Sequence, residues 1–324
     1  MTYYMDYHIT IGAYRVHTLK SCSVRKSVEQ LSDTATIVLP GTLINRALDI
    51  EDKIHVGDKV VIGLGYRQTG IETEFEGYVK KINTDNTDIE IECEDELYMF
   101  DAALQDEQLH SKSAREIIEH VARQVGMAHG TTYDVQCDYD YAYKTFTISH
   151  ATGLDVLKKI QDETKANIYF DGKTLHVHPQ YGEGSWSGRL VKYDMAVNVN
   201  ASDLKYVRAS DQKVRVELEF IDKDGETING KAGMEGGRLI KRTVSSSDAA
   251  SLQKAAESEY NLWCYDGYEG NLTGWLVPYC QPTDYVEIKD KSRLFKTGKY
   301  YVVATDVSFS SSGGVRKVTL GRRV

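Results

Sequence analysis

His176 and His178 form the clearest metal-ligating pair in the sequence, two positions apart in Thr174-Leu175-His176-Val177-His178. On a strand, residues i and i+2 share a face, so both imidazoles point the same way. A zinc site needs further ligands, and none stands nearby before Pro179 ends the run. The pair is therefore read as two strand histidines at a surface or interface, and no metal or other cofactor is expected. Cys137 with His150 is the thiol–imidazole combination that would suit nucleophilic catalysis. A buried Cys and a satisfied His account for these two residues without it. The five cysteines, Cys22, Cys93, Cys137, Cys264 and Cys280, are odd in number and contain no CxxC, which argues against a disulfide framework or a zinc knuckle.

Nucleotide and hydrolase motifs are missing. There is no GxxxxGK[ST] loop, and Gly63-Leu64-Gly65 is followed by Gln68 where a dinucleotide fingerprint needs glycine. Gly184-Ser185-Trp186-Ser187-Gly188 places Trp where a nucleophile elbow needs Ser. No HExxH is present. Asp222-Lys223-Asp224-Gly225 lacks the spacing and terminal Glu of a calcium loop and reads as a hairpin turn. No catalytic residue is assigned, and the chain is not expected to be an enzyme.

Two patterned segments remain. Residues 85–107 hold ten acidic residues and no Lys or Arg. Within them Glu90, Glu92 and Glu94 alternate with Ile89, Ile91 and Cys93, which puts three carboxylates on one strand face. That face is a solvated exterior, or a negative surface that repels polyanions. Asp138-Tyr139-Asp140-Tyr141-Ala142-Tyr143 also alternates. Its Tyr139, Tyr141 and Tyr143 suit an interface, and suit equally a half-buried strand.

The elements that carry these segments divide the chain. Short strands with turn signals fill the first hundred residues: Tyr7–Ile11, Ala35–Leu39, Lys59–Leu64, then a hairpin of Phe75–Ile82 and Ile89–Cys93. Ser113-Ala-Arg-Glu116 is a capping box, and Ala114, Ile117, Ile118, Val121 and Val125 follow at helical spacing up to Gly126. A strand over Tyr139–Ile148 and a helix over Gly153–Lys165 precede an Asp171-Gly172 hairpin. Residues 181–188 read as a linker. Strands resume at Leu204–Val207 and Lys213–Ile221, the latter turning at Asp224-Gly225. A helix spans Ser247–Trp263, and strands close the chain at Tyr285–Ile288, Tyr300–Val307 and Val315–Leu320. The expected fold is α+β but mainly β: two related β-barrel modules, 1–104 and 181–324, with an α/β domain inserted at 105–180. The relation rests on Gly57-Asp58-Lys59-Val60-Val61-Ile62 against Thr283-Asp284-Tyr285-Val286-Glu287-Ile288, each followed by a Tyr-Val strand.

Composition sets outer bounds. The 324 residues are enough for two or three domains. A net charge of −9, from 39 basic and 48 acidic residues, argues against sequence-specific nucleic-acid binding. No apolar run suits a membrane span, and the N-terminus lacks the order of a signal peptide, so folding in the cytoplasm is expected. Tyrosine is frequent, 22 against 7 Phe, and is a residue of protein interfaces.

The layout resembles the tail hub proteins of contractile phages: the late control protein D group, the Mu-type tail hub and the hub portion of type VI secretion spikes. The residues that carry the resemblance are Leu154-x-x-Leu157-x-x-Ile160, Ala166-Asn-Ile-Tyr-Phe-Asp-Gly-Lys-Thr-Leu-His-Val177, Gly57-Asp58-Lys59-Val60 with Phe75-Glu-Gly-Tyr-Val79, and Gly298-Lys-Tyr-Tyr-Val-Val303 before Gly313-Gly314. The resemblance covers nearly the full chain. It implies a homotrimer in a baseplate, each chain giving two similar barrels, so that three chains meet a sixfold tail tube on one side and a threefold spike on the other. It also implies a channel through which DNA passes unbound, lined by the acidic run. Chains of this family that carry a spike or hydrolase segment continue past Leu320, so a separate spike protein is expected. Two other readings compete. A tail-associated peptidoglycan hydrolase would need Cys137 with His150 or an acidic pair, and a carbohydrate-binding receptor module would use residues such as Trp186 and Trp263.

Overall fold

The computed structural model describes residues 3–43, 46–47, 51–84, 87–139, 141–179, 188–221, 225–245, 248–291 and 297–324. The chain is mainly β and splits into two compact units. One comprises residues 1–98, 186–206 and 268–324, the other 99–185 and 207–267. This partition differs from three consecutive domains. Residues 105–180 stay whole within the second unit, but the 181–324 segment is cut, because residues 207–267 fold with 99–185 while residues 268–324 fold with the N-terminal strands.

In the first unit all the described strands but the short pair Thr42–Leu43 and Arg46–Ala47 join one fifteen-stranded sheet. Met5–Ile11 pairs antiparallel with Lys59–Tyr66, which pairs with Gly70–Thr84, which pairs with Asp88–Glu94. Asp88–Glu94 continues to Thr34–Pro40 and then Ser21–Ser27. The sheet then runs directly into the C-terminal strands, because Ser21–Ser27 pairs with Gly298–Ser310, itself flanked by Gly313–Arg323 and Tyr285–Lys289. Among the described residues this path stays open at its ends, so strand pairing does not close a barrel in either half. The core is nevertheless double. Ile9, Ile37, Val60, Ile62, Phe75 and Ile91 lie in one buried cluster, and Val191, Tyr268, Val286, Tyr300, Val302 and Leu320 in another. The alternating patterns seen in sequence produce both, one face of each strand facing its cluster.

The second unit carries the helices. α1, Ala114–His129, has the expected capping box at Ser113 and Glu116. It runs past Gly126 and ends at Gly130, whose φ of +63° makes the left-handed cap. Gly126 serves a close approach instead, since a Cβ there would sit 2.7 Å from the Thr131 carbonyl oxygen. α2, Gly153–Thr164, is capped by Thr152 and Asp155. α3, Ala249–Trp263, is capped by the Asp248 carboxylate, which accepts from Ala250 and Ser251 N–H; Ser247 lies outside the described residues. The Asp171-Gly172 hairpin joins Asn167–Asp171 to Thr174–His178, which also pairs parallel with Asp134–Cys137. Val214–Ile221 pairs antiparallel with Thr227–Gly233 and parallel with Arg238–Thr243. The strand predicted from Tyr139 begins at Ala142 and pairs with Glu107–Ser113. The 181–187 linker residues, with Trp186 and the GxSxG-like run, lie outside the described residues, as do Asp85, Asn86, Asp140 and Asp222–Asp224.

Candidate functional site

Two stretches of the first unit repeat one local construction. In residues 55–58, Asp58 N–H donates to the His55 carbonyl (3.1 Å) and Gly57 has φ +90°. In residues 281–284, Asp284 N–H donates to the Gln281 carbonyl (3.2 Å) and Thr283 has φ +75°. A positive φ at the third residue with this hydrogen bond is a type II turn, and Pro282 occupies the position that proline favours. Each carboxylate then closes its turn: Asp58 Oδ2 accepts from His55 N–H (2.8 Å), and Asp284 Oδ2 accepts from Gln281 N–H (3.0 Å). Each turn is tied to the strand two along in the sequence. Gly57 and Asp58 exchange bonds with Val79 at 2.8 and 2.9 Å, and Thr283 and Asp284 exchange them with Val302 at 3.1 and 3.0 Å. In both copies the ladder shifts register just after that valine. The sequence match between these segments therefore reflects one repeated turn and three-strand meander.

The two copies are joined by a buried ion pair that sequence inspection missed. Glu74 and Arg316 are 2% and 1% exposed. The register between Lys59–Tyr66 and Gly70–Thr84 shifts where Ile62 faces Phe75 and Gly63 faces Thr73, so Glu74 is the extra residue of a β-bulge. The bulge turns it inward, against an alternation that would have left it out. Arg316 Nη1 donates to Glu74 Oε2 (3.2 Å) and to the Cys280 carbonyl (2.9 Å), and Nη2 donates to Glu74 Oε1. Nε donates to the Leu276 carbonyl (3.2 Å), and the guanidinium lies 4.8 Å from the Tyr279 ring centre. Leu276 belongs to one hydrophobic cluster and Cys280 to the other. Within Glu-Thr-Glu-Phe-Glu no sequence signal distinguishes Glu74 from its neighbours.

The acidic strand is Asp88–Glu94, with Ile89, Ile91 and Cys93 buried in the first cluster. Glu90 is exposed and Glu92 half-buried; both accept from the Asn83 amide, and Lys81 lies 3.9 Å from Glu92. Glu94 departs from the predicted face. It is 6% exposed and paired with Lys80 at 2.7 Å, because the register shift after Val79 brings Lys80 over the strand end. Beside it, half-buried Asp33 and buried Asp95 form a carboxyl pair. Asp95 Oδ2 accepts from Asp33 N–H (3.2 Å) and Oδ1 from Leu97 N–H (3.0 Å), while Asp33 Oδ1 accepts from Ser27 N–H (3.0 Å). Burial pushes the Asp33 carboxyl up to about 6 and holds Asp95 well above the usual range, Asp33 adding to the latter.

The tyrosines predicted for an interface point inward. Tyr139, Tyr141 and Tyr143 are buried, their rings running on to Phe146 with centres 5.0–6.2 Å apart. Tyr139 Oη donates to the Thr164 carbonyl at the end of α2 (3.0 Å) and lies 3.3 Å from Ser258 Oγ of α3. Ser251 Oγ of α3 accepts from Ala142 N–H (3.0 Å). The interface these rings serve is internal, joining residues 99–185 to 207–267. Arg242 reinforces the seam by pairing with buried Glu259 of α3 and donating to the Asp162 carbonyl of α2.

His176 and His178 share a face as predicted. His176 Nδ1 lies 3.2 Å from His178 Nε2, and His178 Nδ1 lies 2.8 Å from Asp138 Oδ2. Tyr169 stacks on His176 with an interplanar angle of 7°. Burial and the neighbouring His178 lower the His176 pKa. Among the described residues no three His, Cys, Asp or Glu side chains converge as a metal cluster. Cys137 and His150 are not brought together as a catalytic pair. The Cys137 thiol is buried, directed at the Tyr139 carbonyl and raised in pKa by burial, whereas His150 is exposed beside Asp106. Trp263, at the end of α3, is 45% exposed with the Arg238 guanidinium 4.8 Å from its ring centre.

No protein-family model matches the sequence, and no curated protein matches it. Solved structures do share its fold. The 43 kDa tail protein of prophage MuSo2 from Shewanella oneidensis aligns with a TM-score of 0.66 and 14% identity, covering 98% of this chain and 96% of that one. A tail protein from Neisseria meningitidis MC58 aligns with a TM-score of 0.68 and 12% identity, covering 98% and 96%. An E. coli component of the type VI secretion system aligns with a TM-score of 0.60 and 8% identity, covering 98% and 77%. The fold is that of phage tail proteins and of their type VI secretion counterparts. Among the described residues no helix is long and apolar enough to cross a membrane.

Proposed function

We propose that this chain is a structural hub subunit of a phage-like contractile tail baseplate, acting by assembly and not by catalysis. Three copies form a ring that joins a sixfold tail tube to a threefold spike, within a virion tail or an injection particle assembled in the bacterial cytoplasm. The observation that supports it best is the repeated turn at Asp58 and Asp284. A chain that contains one β module twice, each with its own hydrophobic cluster, lets three chains offer six similar surfaces to a tube. We read each module as the barrel-like half that the resemblance implies, completed by its neighbours. Its partners are the tube protein, a separate spike protein and other baseplate subunits. DNA passes through the ring without specific binding, and we assign Glu90 and Glu92, the exposed and half-buried acids of Asp88–Glu94, to the wall of its path. The likeness in fold to tail proteins along almost the full chain supports the same reading.

Native mass measurement with negative-stain imaging tests this. The expected result is a trimeric ring, alone at high concentration or with tube and spike proteins. A chain that stays monomeric and binds neither partner overturns it.

A further inference from the structure

The strand Thr174–His178 is the middle strand of a three-stranded sheet, hydrogen-bonded on both sides, so the backbone that presents His176 and His178 is held firmly. The separation of 3.2 Å between His176 Nδ1 and His178 Nε2 is close to that of two ligands on one tetrahedral ion. With Zn–N bonds of about 2.0–2.1 Å, the tetrahedral angle sets N···N at about 3.3 Å. Asp138 Oδ2 stands 2.8 Å from Nδ1, the far nitrogen of His178, which is buried and makes no aligned hydrogen bond; a small rotation of the ring would let that carboxylate orient a ligating imidazole. A third donor is present on the same face. Asn167 is the direct antiparallel partner of His178, and directly opposed residues project to the same side. Asn167 is 4% exposed, and its Oδ1 is buried without a hydrogen-bond partner. An orphaned buried amide oxygen is costly and calls for an explanation, and a bound cation supplies one.

We infer that His176 Nδ1, His178 Nε2 and Asn167 Oδ1 form a site for one divalent first-row transition-metal ion, zinc being the natural probe. Two imidazoles and an amide oxygen suit such ions, and water completes the shell. In the metal-free protein one imidazole donates to the other across the 3.2 Å gap. Binding requires His176 to carry its proton on Nε2, and small rotations of the two rings about their soft terminal torsions. The ion would clamp the Asn167–Asp171 hairpin strand to Thr174–His178 at the end of the hairpin away from the Asp171-Gly172 turn.

Calorimetric titration of the intact protein with Zn²⁺, together with its thermal midpoint in Zn²⁺ and in chelator, tests the site. The expected result is one ion per chain, a midpoint raised by Zn²⁺, and loss of both effects in His176→Ala, whose ring is only half-buried. Asp138→Asn should weaken binding about 10- to 100-fold, and Asn167→Asp, which adds an anionic donor, should strengthen it. Co²⁺ in place of Zn²⁺ should give the visible absorption of a four-coordinate ion. Zn²⁺ binding that persists unchanged in His176→Ala, or no binding to a wild-type protein that folds normally, overturns the inference.

Discussion

Asp58 and Asp284 hold the same position in the same turn of two modules, each carboxylate accepting the N–H of the residue three before it. The copies differ in what surrounds the carboxylate. Asp58 keeps a quarter of its side chain in solvent, whereas Asp284 is 1% exposed and also accepts from Arg189 N–H at 2.9 Å. Removing a turn-closing acceptor costs about 1 kcal/mol at an exposed site and up to about 3 kcal/mol where buried N–H groups lose their partner. Asp284→Ala is therefore expected to lower the unfolding free energy by about 2–3 kcal/mol and Asp58→Ala by about 1, in urea unfolding followed by fluorescence. Equal losses would mean that the turns are alike in shape but not in load.

The residue before each aspartate gives a second, opposite pair. Gly57 at φ +90° is unstrained, and a Cβ there would meet only the Tyr98 hydroxyl at 3.7 Å. Thr283 at φ +75° is a β-branched residue in the left-handed region, a strain of order 1–3 kcal/mol. Thr283→Gly is expected to raise the unfolding free energy by about 1 kcal/mol after the greater backbone entropy of glycine is set against the relief. Gly57→Thr should lower it by about 1–3 kcal/mol. Thermal and urea midpoints of both variants decide it, and a destabilised Thr283→Gly would show that the threonine side chain is held by contacts that outweigh the strain.

Much of the fold was legible because it is local. The alternation of Ile89, Ile91 and Cys93, the capping box at Ser113 and the Asp171-Gly172 turn each depend on neighbours in sequence, and each was read from them. The Gly57-Asp58 and Thr283-Asp284 match was legible for the same reason, since a type II turn with a carboxylate lid needs its residues in fixed order. What was not legible depends on distant partners. Periodicity gives Tyr139, Tyr141 and Tyr143 a common face, but whether that face meets another protein or α3 is decided by residues more than a hundred positions later. The joining of the two ends of the chain in one unit was not legible either, because the pairing of Ser21–Ser27 with Gly298–Ser310 carries no local mark. Glu74 was invisible because a bulge reverses the face that alternation assigns.

That bulged glutamate sets up a third prediction. Glu74 and Arg316 are both fully desolvated, and every contact of the guanidinium lies inside the unit. Truncating one partner leaves the other charge buried alone, at about 3–5 kcal/mol. Glu74→Gln and Arg316→Met should each approach that loss. The double variant Glu74→Leu/Arg316→Met should lose much less than the sum, because a buried pair replaced by apolar groups restores most of the packing. Additive losses in the cycle would show that Arg316 acts through the Leu276 and Cys280 carbonyls and not through Glu74.

Asp33 and Asp95 give stability a pH dependence of predictable sign. Burial raises both carboxyls, Asp33 to about 6, above their ordinary range. The folded state then binds more protons than the unfolded state between about pH 4 and 6, so stability falls as pH rises through that window. The contribution is complete below the unfolded carboxyl range and lost above the folded one. His176, whose pKa is lowered, works in the opposite direction nearby in pH, so the informative comparison is wild type against Asp33→Asn. Asparagine keeps an oxygen for Ser27 N–H and removes the charge. The variant should gain on the wild type as pH goes from 5 to 7.5, by about 1 kcal/mol or more at the upper end. A constant difference across that range would mean that the two carboxyls are already charged at pH 5.

The last prediction concerns the face that Glu90 and Glu92 present. Glu90 is exposed and Glu92 half-buried, with only amide and long-range lysine contacts to lose. Charge reversal at such positions shifts stability by about 0.5 kcal/mol or less. If this face lines the path of DNA, its cost should fall on passage and not on folding. Glu90→Lys/Glu92→Lys adds four units of positive charge per chain, and a trimer would multiply that to twelve around one channel. Each cation close to a phosphate strengthens binding in a way that salt removes. Assembled rings carrying the double variant are therefore expected to retain duplex DNA at low salt in a gel-shift experiment and release it as salt is raised, while wild-type rings retain none. Retention by neither ring, with assembly intact, would place Glu90 and Glu92 on the outer wall, where their charge serves solubility.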